Sequence, residues 1–271
     1  MAGYKLGVIG AGNMAEALLR GVIASDFLPR DAIIAADPSA ERRKLLADDL
    51  EIACGQDNTV PGACERIVLA VKPQVMLDAL QSIAPVVRED ALVITIAAGT
   101  KTSLLDRELD GKARLVRVMP NTPMLVRMGI SAVAAGPRAT EDDLEWTCGL
   151  FGASGQTVRV TEEMMDAVTA VSGSGPAYFF YIIEAMTSAG IADGLPPDVA
   201  AKLSIQTCAG AGKLLLETGE KPEVLRARVT SPGGTTQRAI ETLEAAGARQ
   251  ILIDAVRAAT ARGKELGKDA D

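Results

Sequence analysis

From Lys5 to Val160 the chain alternates short β-branched runs with longer amphipathic ones, and past Thr161 the alternation stops. No single motif constrains the fold as much. Parallel strands cannot be joined by a tight hairpin. Each needs a crossover, usually helical, so this spacing predicts a doubly wound sheet, parallel for most of its width. Strands are expected over 5–9, 33–36, 67–71, 92–96, 115–118, 130–134 and 157–160, with helices over 14–24, 40–50, 74–84, 102–109 and 141–151. Only helical patterns follow: 163–171, 176–189, 197–217, 222–229, 236–246 and 249–266. Pro176, Pro197 and Pro222 each stand where a first helical turn tolerates proline. The expected plan is an α/β domain over 1–161 and an all-α domain over 162–271.

Composition narrows the chemistry. The 271 residues carry 28 Lys and Arg against 35 acids, a net charge of −7, and aromatics make up only 3%. With no basic arm and no stacking platform, nucleic acid is not an expected partner. Histidine is absent, which removes His-based triads, His-ligated metals and the usual imidazole acid–base pair. Cys54, Cys64, Cys148 and Cys208 form no C-x-x-C pair, so neither a metal site nor a disulfide framework is expected. They read as reduced core residues. The N-terminal MAGYKLGVIGAG enters a strand at once and leaves no room for a signal peptide. The longest uncharged stretch, 167–183, is broken by Gly173, Gly175 and Pro176 and falls short of the ~20 residues of a membrane helix. The expected compartment is the cytoplasm, with no membrane partner.

Two helical segments stand out for lacking charge. Residues 203–212 carry none, and 177–190 carry only Glu184. A helix apolar all round must be buried all round, yet a small helical domain encloses few positions on every side. A second copy of the chain, covering these helices, resolves the conflict.

The first strand runs into Gly10-Ala-Gly12-Asn13-Met14-Ala15, the G-x-G-x-x-A form of the dinucleotide fingerprint. Gly10 permits a tight turn, Gly12 lets backbone approach a pyrophosphate, and Ala15 keeps the helix near the strand. The helix from Asn13 and Met14 presents free N–H groups to the phosphates. The next strand ends in Asp37, where an acid normally accepts bonds from ribose hydroxyls. That context makes the first domain Rossmann-like and favours NADH, while NADPH is expected to work too. Arg42 and Arg43, which follow, read as solvated helix charges rather than a phosphate clamp. Val71-Lys72-Pro73, Ala98-Gly99 and the loop around Asn121 end three further strands. Their small residues and prolines suit a flat nicotinamide ring laid against backbone.

The helical domain contains two further Gly-rich helix entries, Ser172-Gly-Ser174-Gly-Pro-Ala-Tyr178 and Ser231-Pro-Gly233-Gly234-Thr235-Thr236. The second is a ready carboxylate site with a hydroxyl, Thr236, beside it.

Together, GVIGAGNMAEAL, LAVKPQ, ITIAAG, RVMPNTP, VSGSGPAYFF and VTSPGGTTQRAIETLE resemble the pyrroline-5-carboxylate reductases over essentially the whole chain. The resemblance implies reduction of L-1-pyrroline-5-carboxylate to L-proline by NADPH or NADH. It also implies an intertwined helical homodimer that assembles further into a ring, with the active site drawing on both domains and both chains. Thr236 matches the threonine that contacts the imine nitrogen in the family. Because a hydroxyl is a poor acid, orientation or relay from water is favoured over outright proton donation. Ser231, Gly233, Gly234, Thr235 and Ser174 would line the substrate pocket, and Asn58 and Lys72 would contact the cofactor. Asp37 departs from the family, which often carries a small hydroxyl residue there. Two alternatives stay open. A β-hydroxyacid-type dehydrogenase would need a catalytic lysine in the helical domain, yet Lys202, Lys213 and Lys221 lie in no Gly-rich motif. A nucleotide-sensing module would bind cofactor without turnover.

Overall fold

A computed structural model describes residues 3–268; Met1, Ala2 and 269–271, the outermost positions of the two expected domains, lie outside the described residues. Of the described residues, 3–174 and 259–268 form one compact unit and Gly175–Ala258 a second.

In the first unit eight strands form one sheet: β1 (Leu6–Ile9), β2 (Ile33–Ala36), β3 (Ala53–Gly55), β4 (Arg66–Leu69), β5 (Leu92–Thr95), β6 (Arg114–Met119), β7 (Gly129–Ala135) and β8 (Gly155–Val160). Their order is β3-β2-β1-β4-β5-β6-β7-β8. Every pairing is parallel except β6 with β7, where Val116 faces Ala135 and Val118 faces Val133. β1 to β6 therefore end at one edge, and the order reverses between β1 and β4, where such sheets hold their ligands.

Strand alternation splits the core in two. On one face Leu6, Val8, Val68 and Ile94 pack with Leu18 and Leu19 of α1 (Asn13–Ala24), with Leu46 of α2 (Ala40–Leu50) and with Phe151 of α6 (Glu141–Gly152). On the other, Ile67, Leu69 and Val93 meet Leu80 and Ile83 of α4 (Met76–Ile83) and Leu105 of α5 (Thr102–Glu108). Each such side chain contributes about 1.5–3 kcal/mol by its burial. A short α3 (Thr59–Gly62) follows β3. β8 is succeeded by a 3₁₀ turn, by α7 (Met165–Val168) and by a π-helical turn over Thr169–Gly173. Residues 259–268 belong to the end of α12 (Ala248–Lys268), where a Cβ on Gly99 would lie 3.4 Å from Leu266 and one on Gly263 3.3 Å from Asp166.

The second unit contains α8 (Gly175–Ala192), α9 (Pro197–Thr218), α10 (Pro222–Arg228), α11 (Thr235–Ala245) and the first turns of α12. α8 and α9 pack through small residues, since a Cβ on Gly190 would lie 3.3 Å from that of Ala200. Little else is hidden. Phe179, Phe180, Tyr181, Leu203, Ile205, Leu216 and Ile251 are each more than half exposed in the single chain.

Several elements differ from the sequence expectation. β3 was not expected. The strand over 67–71 leaves the sheet after Leu69, and the helix over 74–84 opens as a 3₁₀ turn at Pro73–Val75. The helix over 163–171 is instead three short turns ending in the π segment. Among the described residues no helix is long and apolar enough to cross a membrane, and no cluster of metal-ligating side chains occurs.

Candidate active site

Gly10 leaves β1 at φ +93°, and a Cβ there would lie 2.8 Å from the carbonyl oxygen of Ala70. Only glycine turns here, because the conformation is strained for L residues and β4 is too close. Gly12, the N-cap of α1, is exposed, and a Cβ on it would meet nothing within 4 Å. Its N–H and those of Asn13 and Met14 have no acceptor among the described residues. Unspent amides at the positive end of a 12-residue helix suit a pyrophosphate.

Asp37 follows β2 and has two structural bonds. Its Oδ2 accepts the Ala11 N–H at 2.7 Å and its Oδ1 the Ser39 N–H at 2.8 Å. The carboxylate thus pins the Gly-rich turn, with one bond accepted on each oxygen. Arg42 and Arg43 are not the solvated charges expected from sequence. Arg42 donates from Nε to the Ala11 carbonyl at 2.5 Å and pairs with Glu16 at 2.7 Å. Burial pushes the Glu16 carboxyl up, but hydrogen bonds from Arg42 and Arg20 outweigh it and hold the group below the usual range. Arg43 donates to the carbonyls of Asp37 and Pro38 at 2.9 and 2.8 Å, so its guanidinium lies beside the Asp37 backbone. On neighbouring β3, burial raises the Cys54 thiol, Asp37 raises it further and Arg43 opposes.

Further along the same edge, Pro73, Ala98 and Gly99 line one cavity of about 480 Å³ with Met76, Leu77 and Leu266. Val71 and Lys72 do not line it, and Lys72 is exposed. Asn58 donates from Nδ2 to Ser82 Oγ at 2.9 Å. Asn121 is engaged at both ends of its amide. Its Oδ1 accepts the Ile130 N–H at 2.9 Å and its Nδ2 donates to the Ser172 carbonyl at 3.2 Å, which ties the loop after β6 to the π turn. A larger cavity, about 630 Å³ around Thr102, Asp106 and Glu162, contains none of the expected site residues. Beside it Glu162 accepts from the Thr102 N–H and hydroxyl at 2.8 and 2.5 Å and pairs with buried Arg117 at 3.3 Å. Sequence reasoning did not find this clamp, because an Arg inside an apolar strand carries no signal of its partner.

The segment Ser172–Tyr178 opens α8 at Gly175, as expected, but directly from the π turn rather than from a loop. The chain reaches it already coiled, with the Ser174 N–H donating to the Thr169 carbonyl at 2.8 Å and the Ser172 hydroxyl to Val168. Ser174, half-buried, caps the π turn at the bend before α8.

In the second unit Ser231–Thr236 also opens a helix, but two glycines of the expected carboxylate loop spend their amides within the chain. Gly233, at φ +71°, donates its N–H to Gln237 Oε1 at 2.7 Å, and Gly234 donates to the Ser231 carbonyl at 3.0 Å. The N–H groups of Thr235, Thr236 and Gln237 remain without acceptors among the described residues. The half-buried Thr236 thus lies within a turn whose amides are unspent.

Residues 162–266 match a family model described as pyrroline-5-carboxylate reductase dimerisation. Residues 5–99 match one described as NADP oxidoreductase, coenzyme F420-dependent. The pyrroline-5-carboxylate reductase of Synechocystis sp. is 42% identical over 97% of this chain and 98% of its own. A pyrroline-5-carboxylate reductase structure from Coxiella burnetii superposes with a TM-score of 0.91 at 35% identity, covering 97% of this chain and 98% of that one. The Plasmodium falciparum pyrroline carboxylate reductase, solved with NADP bound, has a TM-score of 0.87 at 28% identity over 98% of this chain and 99% of that one. The chain belongs to the pyrroline-5-carboxylate reductase family.

Proposed function

We propose that this chain reduces L-1-pyrroline-5-carboxylate to L-proline with NAD(P)H, the last step of proline biosynthesis, in the cytoplasm. The cyclic imine takes a hydride at carbon and a proton at nitrogen. The nicotinamide, when bound, supplies the hydride. The chain's own residues bind, orient and neutralise. Residues 1–161 serve the cofactor and 162–271 serve dimerisation and substrate. Gly10, Gly12, Asn13 and Met14 hold the pyrophosphate, and Asp37 faces the adenosine ribose. Asn58, Val71, Lys72, Pro73, Ala98, Gly99 and Asn121 shape the remaining cofactor edge.

The observation that carries this reading is the unspent turn at the start of α11. The substrate's carboxylate is one carbon from its ring nitrogen, so the binder of one must adjoin the partner of the other. The free amides from Thr235 to Gln237 surround the Thr236 hydroxyl, which meets that requirement. Ser231, Gly233, Gly234 and Thr235 form the carboxylate loop, Ser174 lines the pocket, and Thr236 orients the nitrogen or relays its proton from water. The exposed apolar faces of α8 and α9 are covered by a second copy, and the dimers assemble into a ring. Steady-state oxidation of NADH and NADPH, with pyrroline-5-carboxylate against six-membered cyclic imines and hydroxy acids, tests the assignment. Turnover confined to hydroxy acids overturns it.

A further inference from the structure

The Gly233 N–H is the amide a carboxylate loop would be expected to offer its ligand, yet it is already bound. Its acceptor is Gln237, whose Oε1 stands 2.7 Å away and whose Nε2 donates to Glu241 Oε1 at 2.8 Å. Gln237 occupies the third position of α11, where a side-chain acceptor commonly folds back on the helix entry. Glutamate can do the same, with the added attraction of a negative charge to the helix N-terminus. The like-charge i,i+4 pair it would make with Glu241 offsets that gain, so on helix stability alone glutamate and glutamine are close to equal here.

We infer that Gln237 is a positioning residue for the anionic substrate, and that its neutrality is the functional requirement. The carboxamide closes the loop by taking the Gly233 N–H, and Glu241 holds it in that orientation. The amides of Thr235 and Thr236 and the Gln237 backbone N–H are left free, with no side-chain charge spent on them. A carboxylate at Gln237 would neutralise the helix end, repel the substrate's own carboxylate and face Glu241. The inference rests on the proposed pyrroline-5-carboxylate reduction and deepens it.

The test compares wild type, Gln237→Glu and Gln237→Met in the intact protein, by melting temperature and by steady-state kinetics in low and high salt. Gln237→Glu should keep a melting temperature close to wild type while KM for pyrroline-5-carboxylate rises roughly tenfold, the scale of one like charge in a half-exposed site. Added salt should shrink that defect. Gln237→Met, which keeps the bulk but not the acceptor, should raise KM without the salt dependence. A helix-capping role alone makes activity follow stability, so Gln237→Glu with KM within twofold of wild type overturns the inference. Failure of the wild-type protein itself to reduce pyrroline-5-carboxylate would strike the parent reading instead, and the two failures are told apart in the same experiment.

Discussion

Replacing Asp37 by Asn isolates its charge from its structural bonds. Both carboxylate oxygens accept loop amides, from Ala11 and Ser39. A shorter replacement such as Ser would loosen the turn and change the charge together. Asn retains one oxygen acceptor at the same reach. The lost bond weakens both cofactors through the same pyrophosphate turn, so the NADPH-to-NADH ratio of kcat/KM cancels it. What remains is the repulsion between a carboxylate and a 2′-phosphate. At about 5 Å in a half-exposed, water-rich site this is worth about 1–2 kcal/mol, or roughly five- to thirtyfold in the ratio.

The expected outcome is a shift of that size towards NADPH. Arg43→Ala should move the ratio the other way, because its guanidinium lies against the carbonyls of Asp37 and Pro38 and can turn to a phosphate. Cys54 supplies an internal control. Asp37 helps to raise its thiol, so alkylation of the Cys54 peptide, followed by mass spectrometry, should be faster in Asp37→Asn at fixed pH. If labelling accelerates while the cofactor ratio stays within twofold of wild type, the charge has gone without consequence. Asp37 would then not face the ribose.

Thr236→Ala should lower kcat more than it raises KM, by about 0.5–1.5 kcal/mol for a neutral hydrogen bond or ~1.5–3 if the nitrogen is charged. Thr236→Ser should recover most of the loss, and a pure KM effect would assign the hydroxyl to ground-state binding. Light scattering at micromolar concentration should find no folded monomer, given the exposed apolar side chains of α8 and α9. An active 28.2 kDa species would contradict the second-copy reading.

The alternation of runs made the sheet legible because burial on both faces forces apolar strands and amphipathic crossovers, whatever the details. β3 escaped for the complementary reason. Ala53, Cys54 and Gly55 carry no β-branched residue, and the strand exists as the outer partner of β2, with Ile34 opposite Ala53. The π turn at Thr169–Gly173 cannot be told from a simple helix in the sequence, because an i+5 ladder leaves no mark on hydrophobic spacing. At the candidate site, the glycines were legible through their conformational freedom, and Asp37 through its place after a strand. The internal satisfaction of polar groups was not legible. Nothing in the order of residues says that Asn121 bridges Ile130 and Ser172, or that the Gly233 amide is taken by Gln237 rather than left for a ligand.

The first unit is closed by residues 259–268, with the whole of Gly175–Ala258 intervening. Synthesis is vectorial, so this unit cannot be finished until the intervening helical unit has been made. Leu266, one wall of the cavity at Pro73 and Gly99, is added only after all of Gly175–Ala258. Bringing the two pieces together requires closing a loop that contains another unit, with the entropy and slow non-local pairing such closure entails. A nascent chain can therefore lay down β1 to β8 in order while its cavity stays open along one side. Competence to enclose a ligand there follows synthesis of the whole intervening unit rather than preceding it.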